Sequence, residues 1–245
     1  MIKLLSWLIS RIKKREYRID SSLTSTDLLM IVWDRMWMAL RGLWHKLLLK
    51  KAPGIIFIGK KVKIRSHRKI NCGSGMTIED GCFINALCKD GIKIGRNFSL
   101  GRNSIVECTG VIRELGESLE IGNDVGISAD AFISVRGKVK IGDSTIFGPG
   151  VKMFSENHNF SDINIPIFLQ GATRKGIEIG ADCWIGANVL ILDGVTIGNK
   201  CVIAAGSVVN HDIPPYSIAA GVPARVLKER DNCFESSSPT NKNLA

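Results

Sequence analysis

The stretch IGADCWIGANVLILDGVTIGNKCVIAAGSVV, residues 179–209, places an aliphatic residue at every sixth position. The repeating residues are Ile179, Ile185, Ile191, Ile197, Ile203 and Val209. A period of six fits neither the α-helical period of about 3.6 residues nor the two-residue alternation of a half-buried strand. It predicts a solenoid in which each short strand turns one aliphatic side chain inward and is followed by a tight turn.

The same spacing recurs upstream of this stretch. Its earlier members are Ile58, Ile64, Ile70, Ile78, Ile84, Ile94, Leu100, Val106, Ile121, Ile127, Ile133, Ile141, Phe147 and Met153. Three six-residue units make one triangular coil of about 18 residues, in which each aliphatic side chain stacks on its equivalent in the next coil. The repeats together predict a solenoid of about seven coils.

Small residues are expected four positions after the repeating aliphatics, where the chain turns inward near a corner. Four of the seven cysteines, Cys82, Cys88, Cys183 and Cys201, occupy such positions, which favours packing over metal binding. The cysteine count is odd, no paired spacing is present, and no cleavable signal peptide is recognisable. A reducing cytoplasm is therefore the expected location.

Several motifs, in order along the chain, resemble those of the hexapeptide-repeat acyltransferases. They are NHNFSDINIPI at 157–167, IGADCWIGANVLILDGVTIG at 179–198, VIAAGSVV at 202–209 and HDIPPYSIAAGVPARV at 211–226. Their order is similar to that of the subgroup of maltose, galactoside and exopolysaccharide O-acetyltransferases. The resemblance implies a mainly β fold, a left-handed parallel β-helix, although the general rule for parallel crossovers predicts the opposite hand. It also implies a homotrimer with each active site between neighbouring subunits.

The predicted organisation has an amphipathic helical extension, a β-helix, a C-terminal cap and a disordered tail. These parts are residues 1–54, 55–213, 214–232 and 233–245, and the cap is expected to contain a short helix. Two segments of the β-helix leave the six-residue register, residues 110–118 and residues 155–176. The second interruption is 22 residues long, and so long a loop on a regular scaffold is usually functional.

The N-terminal extension carries most of the net charge of +10, because residues 1–51 hold 11 Lys and Arg against 4 Asp and Glu. A first helix is predicted from Ile2, Leu5, Leu8, Ile9 and Ile12, and a second, capped by Thr26 or Asp27, from an apolar stripe. The stripe consists of Leu29, Val32, Trp33, Met36, Trp37, Leu40, Leu43, Trp44, Leu47 and Leu48.

The longest apolar run of the extension is only residues 28–33, whereas a membrane span needs roughly 20. Four of the five tryptophans lie here beside Lys and Arg, which favours a helix in the membrane interface through residues 1–50. Packing of the stripe on the main domain or on a neighbouring subunit is the alternative. Nucleic acid is excluded as a partner, because the tryptophans follow helical periodicity and form no stacking platform.

The long interruption contains His158, and a neutral imidazole suits a general base because its pKa lies near cellular pH. The resemblance implies that His158 removes the proton from the acceptor hydroxyl, while a solvated loop histidine is the alternative. Either Glu156 or a backbone carbonyl is expected to orient the imidazole. Glu156 is also a candidate acceptor contact, as is Asp130, which lies one coil before the loop.

The resemblance further implies that Trp184 flanks the acetyl and acceptor pocket and that the Ala187 N–H stabilises the oxyanion. Acetyl-CoA is the implied co-substrate, held in the groove between two solenoids. The implied contacts are Trp184, Gly186, Ala187, Ala205, Gly206, Asn210, Arg225 and Lys228. For the last two residues, an exposed basic helix end is the alternative.

The resulting hypothesis is an acetyl-CoA-dependent O-acetyltransferase that acts on a sugar of a cell-surface polysaccharide or its lipid-linked precursor, at the inner face of the cytoplasmic membrane. The alternatives are a small acceptor, either a nucleotide sugar or serine, and a non-catalytic scaffold. A zinc-dependent carbonic anhydrase on this fold needs two histidines five residues apart, which His67, His158 and His211 do not provide, so no metal is expected. His45 is expected to be structural or interfacial, and His67 and His211 to be solvated turn residues.

Overall fold

The structure, a computed structural model, describes residues 10–11, 19–20, 22–109 and 112–230. The predicted first helix lies almost entirely outside these residues, and so does the predicted disordered tail at 233–245.

The helix of the N-terminal extension, α1, spans Ser25–Leu48. Thr24 is its N-cap, not Thr26 or Asp27 as predicted. The Thr24 hydroxyl accepts from the Asp27 N–H at 3.2 Å, and the Asp27 carboxylate accepts from the Thr24 N–H at 3.0 Å. Because this reciprocal pair satisfies two free N–H groups at once, it decides where the helix begins.

The main body is a parallel β-helix with three faces, each formed by one sheet. Sheet 1 contains β1 (Phe57–Ile58), β4 (Thr77–Ile78), β7 (Ser99–Leu100), β10 (Gly126–Ile127), β13 (Ile146–Phe147), β18 (Trp184–Ile185), β21 (Val202–Ile203), β23 (Ser217–Gly221) and β24 (Ala224–Glu229). Sheet 2 contains β2 (Lys63–Arg65), β5 (Phe83–Asn85), β8 (Ile105–Glu107), β11 (Phe132–Ser134), β14 (Lys152–Phe154), β19 (Leu190–Leu192) and β22 (Val208–Val209). Sheet 3 contains β3 (Ile70–Cys72), β6 (Cys88–Ile94), β9 (Gly116–Ile121), β12 (Val139–Ile141), β17 (Ile177–Ile179) and β20 (Thr196–Ile197).

The repeating aliphatics form the core, as the six-residue period predicts. Each pairs with its equivalent one coil away, for example Ile127 with Phe147 and Ile185 with Ile203. All of them are buried except Ile64, which is half-buried near the N-terminal end. The predicted mainly β, parallel β-helical fold of about seven coils is therefore confirmed.

The six described cysteines are all buried free thiols, in agreement with the packing role. At Cys72, burial raises the pKa of the thiol to about 11, and the charge of Lys46 lowers it only in part. Such a thiol stays protonated at neutral pH and is a poor nucleophile or metal ligand.

The helix α1 covers the N-terminal end of the solenoid. Gly42 allows the backbone of α1 to approach the backbone at Ile56 closely, because a Cβ at position 42 would lie 2.0 Å from the Ile56 carbonyl oxygen. Arg41 Nε donates to the Ile58 carbonyl at 2.8 Å, so the helix also satisfies an acceptor of the edge strand β1. His45 stacks on His67, and burial lowers the pKa of both rings, so His67 is not the solvated turn residue that was predicted.

The other end of the solenoid is closed by strands, and the predicted short C-terminal helix is wrong. The strand β23 adds to sheet 1 beside β21, and β24 returns antiparallel to it. Pro223 lies in the connecting turn, and Ala224 directly after it is fully buried. The backbone N–H and C=O groups at the edge of the last coil need hydrogen-bond partners. An extended segment supplies them, whereas a helix would leave them unpaired.

The three outer faces differ in polarity. The central outward residues of sheet 3 are polar, namely Asn71, Lys93, Glu120, Lys140, Glu178 and Thr196. Sheets 1 and 2 instead present apolar side chains at many outward positions, among them Phe57, Phe83, Ile105, Phe132, Ile146, Trp184, Leu190 and Val202. Since outward aliphatic and aromatic side chains are unusual on a solvated sheet, sheets 1 and 2 are the faces that suit a protein partner.

Replacing a stacked aliphatic tests the core. We expect Ile191→Ala to reduce the free energy of unfolding by about 2–5 kcal/mol, because Ile191 is fully buried and neighbouring coils cannot close the cavity. Thr196→Ala, at an exposed position of sheet 3, is the control and should change it by less than about 0.5 kcal/mol. Urea unfolding provides the measurement, and equal effects of the two substitutions would contradict the stacking model.

Candidate active site

The long interruption leaves sheet 2 after β14 and re-enters the solenoid at β17. Its base is a two-stranded antiparallel ribbon of β15 (Asn157–His158) and β16 (Ala172–Thr173), in which His158 pairs with Ala172. The Asn159 N–H extends this ladder by donating to the Gly171 carbonyl at 3.0 Å. His158 is thereby held on a regular element, with its exposed side chain in an open concavity beside Phe160 and Thr173.

The tip of the ribbon closes on itself through Gln170. The Gln170 side-chain amide donates to the carbonyls of Asp162 and Ile165, both at 2.7 Å, and accepts from the Asp162 N–H at 3.1 Å. Ile163 is 94% exposed and Phe168 is 76% exposed at this tip. The ribbon therefore presents an apolar tip beyond His158 that its own chain does not cover.

Glu156 does not contact the His158 ring, which forms no side-chain hydrogen bond among the described residues. Glu156 Oε2 instead accepts from Arg174 Nε at 2.6 Å and from Arg136 Nε at 3.3 Å. Burial alone would raise the pKa of Glu156, but the hydrogen bond from Arg174 and the charges of both arginines lower it overall. Of the two orienting groups that were considered, Glu156 therefore makes no direct contact with His158, and its carboxylate stays ionised between two arginines.

The two interruptions leave the solenoid at the same corner, between sheets 2 and 3. The first is shorter than the predicted 110–118, because the strand β9 already begins at Gly116. Arg174 of the second interruption reaches the first, with its NH2 group 3.0 Å from Glu114 Oε2. The first interruption thus supports the base of the ribbon. Neither Arg136 nor Arg174 belongs to the six-residue register, so no sequence signal singled them out.

Trp184 lies on sheet 1 and its side chain is 55% exposed. Gly126 and Gly148, in neighbouring coils, leave a concavity beside the indole that also includes Ile146. His158 does not line this concavity, because its ribbon emerges from the corner opposite sheet 1. The structure therefore does not bring Trp184 and His158 together within one chain.

The turn after Trp184 stacks tightly on the next coil. The Gly206 N–H donates to the Ala187 carbonyl at 2.8 Å, and the Gly186 N–H donates to the Ile203 carbonyl at the same distance. The N–H groups of Ala187 and Ala205 have no acceptor among the described residues. The equivalent N–H of Ala181, one corner earlier, is instead capped by the Asn199 side chain. Two backbone donors are consequently free at this corner.

A polar cluster lies near the C-terminal hairpin. His211 Nδ1 is 2.7 Å from Asn210 Oδ1, and Arg225 NH1 is 3.2 Å and 3.1 Å from the two ring nitrogens of His211. A nitrogen nearly equidistant from both must lie over the ring face. His211 is exposed in a bend, as the prediction of a solvated turn residue requires, and it also contacts Arg225. Lys228 is exposed further along β24. Both Arg225 and Lys228 therefore lie on a strand, not at the end of a helix.

Asp130 lies at the corner between β10 and β11, and its backbone is in the left-handed region with φ of 61°. Its Oδ1 accepts from Asn103 Nδ2 at 3.3 Å.

Among the described residues, no cluster of three or more His, Cys, Asp or Glu side chains could hold a metal ion. In the same part of the chain, no helix combines the length and apolarity needed to cross a membrane.

Comparisons with known proteins agree with this fold. Residues 176–211 match the family model described as bacterial transferase hexapeptide (six repeats). An N-acyltransferase from Bacillus cereus, solved with dTDP and 3-hydroxybutyryl-CoA, superimposes with a TM-score of 0.53 over 78% of this chain and 88% of its own, at 20% sequence identity. At that identity the likeness concerns the fold alone.

Two curated relatives match the β-helix. A probable acetyltransferase of Mycobacterium tuberculosis is 40% identical over 107 residues, which are 44% of this chain and 36% of the relative. The galactoside O-acetyltransferase of Escherichia coli is 42% identical over 92 residues, 37% of this chain and 44% of the relative. The chain thus spans less than half the length of each. The fold and these matches together confirm the resemblance to the hexapeptide-repeat acyltransferases of the galactoside O-acetyltransferase type.

Two glycines of the stacked turn differ in a testable way. A Cβ at Gly186 would lie 2.5 Å from the Ala205 nitrogen, whereas nothing lies within 4 Å of one at Gly206. We expect Gly206→Ala to lower the free energy of unfolding by about 1–2 kcal/mol, because only its positive φ is strained by a side chain. Gly186→Ala should lower it more, and with it the midpoint of thermal unfolding, because the backbones of two coils must separate. Equal midpoints for the two variants would contradict the described stacking.

Proposed function

We propose that the protein is an acetyl-CoA-dependent O-acetyltransferase whose acceptor is a sugar hydroxyl. The observation that carries the proposal is the free Ala187 N–H next to Gly148, a residue that lines one concavity with the exposed Trp184. Ala187 and Trp184 both lie within the segment matched by the transferase family model. The relative that acts on galactosides supports a hydroxyl acceptor. A non-catalytic scaffold would have no need for either feature.

His158 is the proposed general base. An imidazole that is exposed on a regular ribbon can approach a bound hydroxyl and accept its proton. It takes the hydroxyl proton as the oxygen attacks, and later returns a proton to the leaving sulfur. The N–H of Ala187 stabilises the negative charge that develops on the carbonyl oxygen.

Acetyl-CoA supplies the acyl group as a reactive thioester. The free N–H groups of Ala187 and Ala205 fit the amide oxygens of a pantetheine arm, and the open space at Gly206 leaves room for it. Gly186 lies buried in the same turn and keeps the two coils close. Trp184 provides the apolar wall of the adjoining pocket.

The phosphates of the co-substrate are proposed to contact Arg225 and Lys228, whose charges lie on the hairpin beyond this corner. Arg225 NH1 is held by the Ala224 carbonyl at 3.0 Å and by the His211 ring. Because the side chain is already held, an anion that binds its remaining guanidinium donors costs little further rotamer freedom. Asn210, which contacts His211, completes this proposed site.

The proposed assembly is a homotrimer. In one chain, His158 and Trp184 lie on opposite sides of the triangular solenoid, so a site that uses both requires a neighbouring subunit. The apolar outward residues of sheets 1 and 2 suit burial between parallel solenoids, whereas the charged sheet 3 suits solvent. Each active site would then combine the ribbon of one subunit with the Trp184 corner of the next.

The acceptor is proposed to be a unit of a cell-surface polysaccharide or its lipid-linked precursor. Asp130, on the corner between sheets 1 and 2, is the proposed acceptor contact, because a carboxylate readily accepts from sugar hydroxyls. The helix α1 supports a location at the inner face of the cytoplasmic membrane. Its apolar stripe points away from the solenoid, with Trp33 58% exposed and Trp44 67% exposed, so packing on its own β-helix is not the role of the stripe.

Thiol release from acetyl-CoA, measured across a panel of glycans, tests the activity and the base together. We expect turnover with a glycan acceptor and a loss of about 10²–10⁴-fold in kcat for His158→Ala. His211→Ala is the matched control and should alter mainly the KM for acetyl-CoA. Unchanged turnover in His158→Ala would remove this residue from the mechanism. Transfer only to serine or to a nucleotide sugar would overturn the acceptor class.

Flotation with vesicles tests the membrane location. We expect binding to vesicles that contain phosphatidylglycerol, weakened by salt because basic residues of the extension contribute. Replacing Trp33, Trp37 and Trp44 together by Ser should abolish binding, since these rings form the exposed stripe. The control, Ile163→Ser, removes an even more exposed apolar side chain from the ribbon tip and should leave vesicle binding unchanged. Full binding by the triple variant would refute the interfacial helix.

A further inference from the structure

A largely buried ion-pair network lies beneath the ribbon that carries His158. Arg136 is only 7% exposed and lies at the corner between sheets 2 and 3, in the coil directly before the ribbon. Glu156 Oε2 is 3.3 Å from Arg136 Nε and 2.6 Å from Arg174 Nε. Arg174 NH2 lies 3.0 Å from Glu114 Oε2, and its NH1 donates to the Leu115 carbonyl at 3.4 Å. The network thus joins three successive coils at one corner.

The network is in register with the ribbon. Asn157 pairs with Thr173 and His158 pairs with Ala172, so Glu156 and Arg174 occupy the next cross-strand position. Their ion pair continues the ladder toward the solenoid. Because Glu156 directly precedes β15 and is two residues from His158, a displacement of its carboxylate changes the direction in which the ribbon leaves the corner.

The ends of the ribbon have separate anchors. The Ser155 hydroxyl accepts from the Arg136 N–H at 2.9 Å and donates to the Ser134 carbonyl at 2.8 Å. The Asp193 carboxylate accepts from the N–H groups of Lys175 at 3.0 Å and Gly176 at 2.8 Å. Attachment to the coils therefore does not depend on Glu156, and its side chain is left to determine the orientation of the ribbon.

We propose that Arg136, Glu156 and Arg174 form a clamp that positions His158 for proton transfer. The three are positioning residues, because they act through the ribbon and do not touch the reacting atoms. The Nε groups of both arginines donate to the same oxygen of Glu156, so two charge-assisted hydrogen bonds fix the direction of the carboxylate where one would leave it freer to rotate. The burial of Arg136 strengthens the constraint, because a buried charge that loses its partner is costly. This inference rests on the proposed role of His158 as general base.

The first test compares kinetic constants. Glu156→Gln should lower kcat by about 10- to 100-fold, the loss expected when a reacting group is displaced by about 1 Å, and leave the KM for acetyl-CoA within about twofold. Arg174→Lys, which keeps the charge but loses the planar fork, should fall between wild type and Glu156→Gln. Glu178→Gln is the matched control, because Glu178 forms an exposed ion pair with Lys140 on sheet 3, and it should leave both constants unchanged.

The second test measures the ribbon directly and needs no substrate. In Glu156→Gln, hydrogen exchange should accelerate at the Asn159 amide, which bonds to Gly171, and stay unchanged at the Gly186 amide within the coils. Unaltered exchange at Asn159 together with unaltered kcat would overturn the clamp. Equal acceleration at Gly186 would also overturn it, because the effect would then be global unfolding.

His158→Ala separates failure of the clamp from failure of the proposed function. If His158→Ala loses turnover while Glu156→Gln and Arg174→Lys keep it, the clamp is refuted and the general base stands. If His158→Ala keeps full turnover, the proposed base is refuted, and a positioning role for the clamp falls with it. Loss of kcat in both variants, with exchange accelerated only in the ribbon, is the result that the clamp predicts.

Discussion

The stacking of one aliphatic side chain on its equivalent in the next coil is the constraint from which the rest of this structure follows. Most strands turn only one or two side chains inward, such as Ile185 on Ile203, so the core is a narrow and mainly aliphatic column whose few buried polar residues, such as Thr145, are small. Burying an unpaired polar group in it would cost several kcal/mol. Chemistry is therefore confined to the outer faces, the corners and the interruptions of the solenoid.

Both interruptions use the same corner, and this explains how a regular scaffold can hold a precise group. At the corner between sheets 2 and 3, the chain can leave after one strand and return to the next without disturbing the stack. Arg136 projects from the uninterrupted coil between the two excursions, and Arg174 extends from the second excursion to the first. The excursions are thus braced against each other and against the core, rather than free in solvent.

Much of the fold could be predicted from the sequence because its signal is local and repeated. The inward positions, the small residues near the corners and the place of the long loop all follow from spacing. The C-terminal hairpin could not be predicted, because the helical character of PARVLKER is outweighed by the open sheet edge beside β21. The contacts of Glu156 and His211 were also missed, since each depends on an arginine 14 to 20 residues away in sequence that only coiling brings near.

The alternation of charge on the third face has a consequence for assembly. Lys93, Glu120, Lys140 and Glu178 follow one another along the stack, and the pairs Lys93–Glu120 and Lys140–Glu178 are 3.1 Å and 2.5 Å apart. A flat face of exposed strands could otherwise serve as a template for sideways growth of fibres. The alternating charges of sheet 3 already pair with one another within the chain and remain hydrated. A second solenoid that docked there would displace this water and gain few new ion pairs. Of the three faces, sheet 3 is therefore the one least suited to association with another copy of the chain.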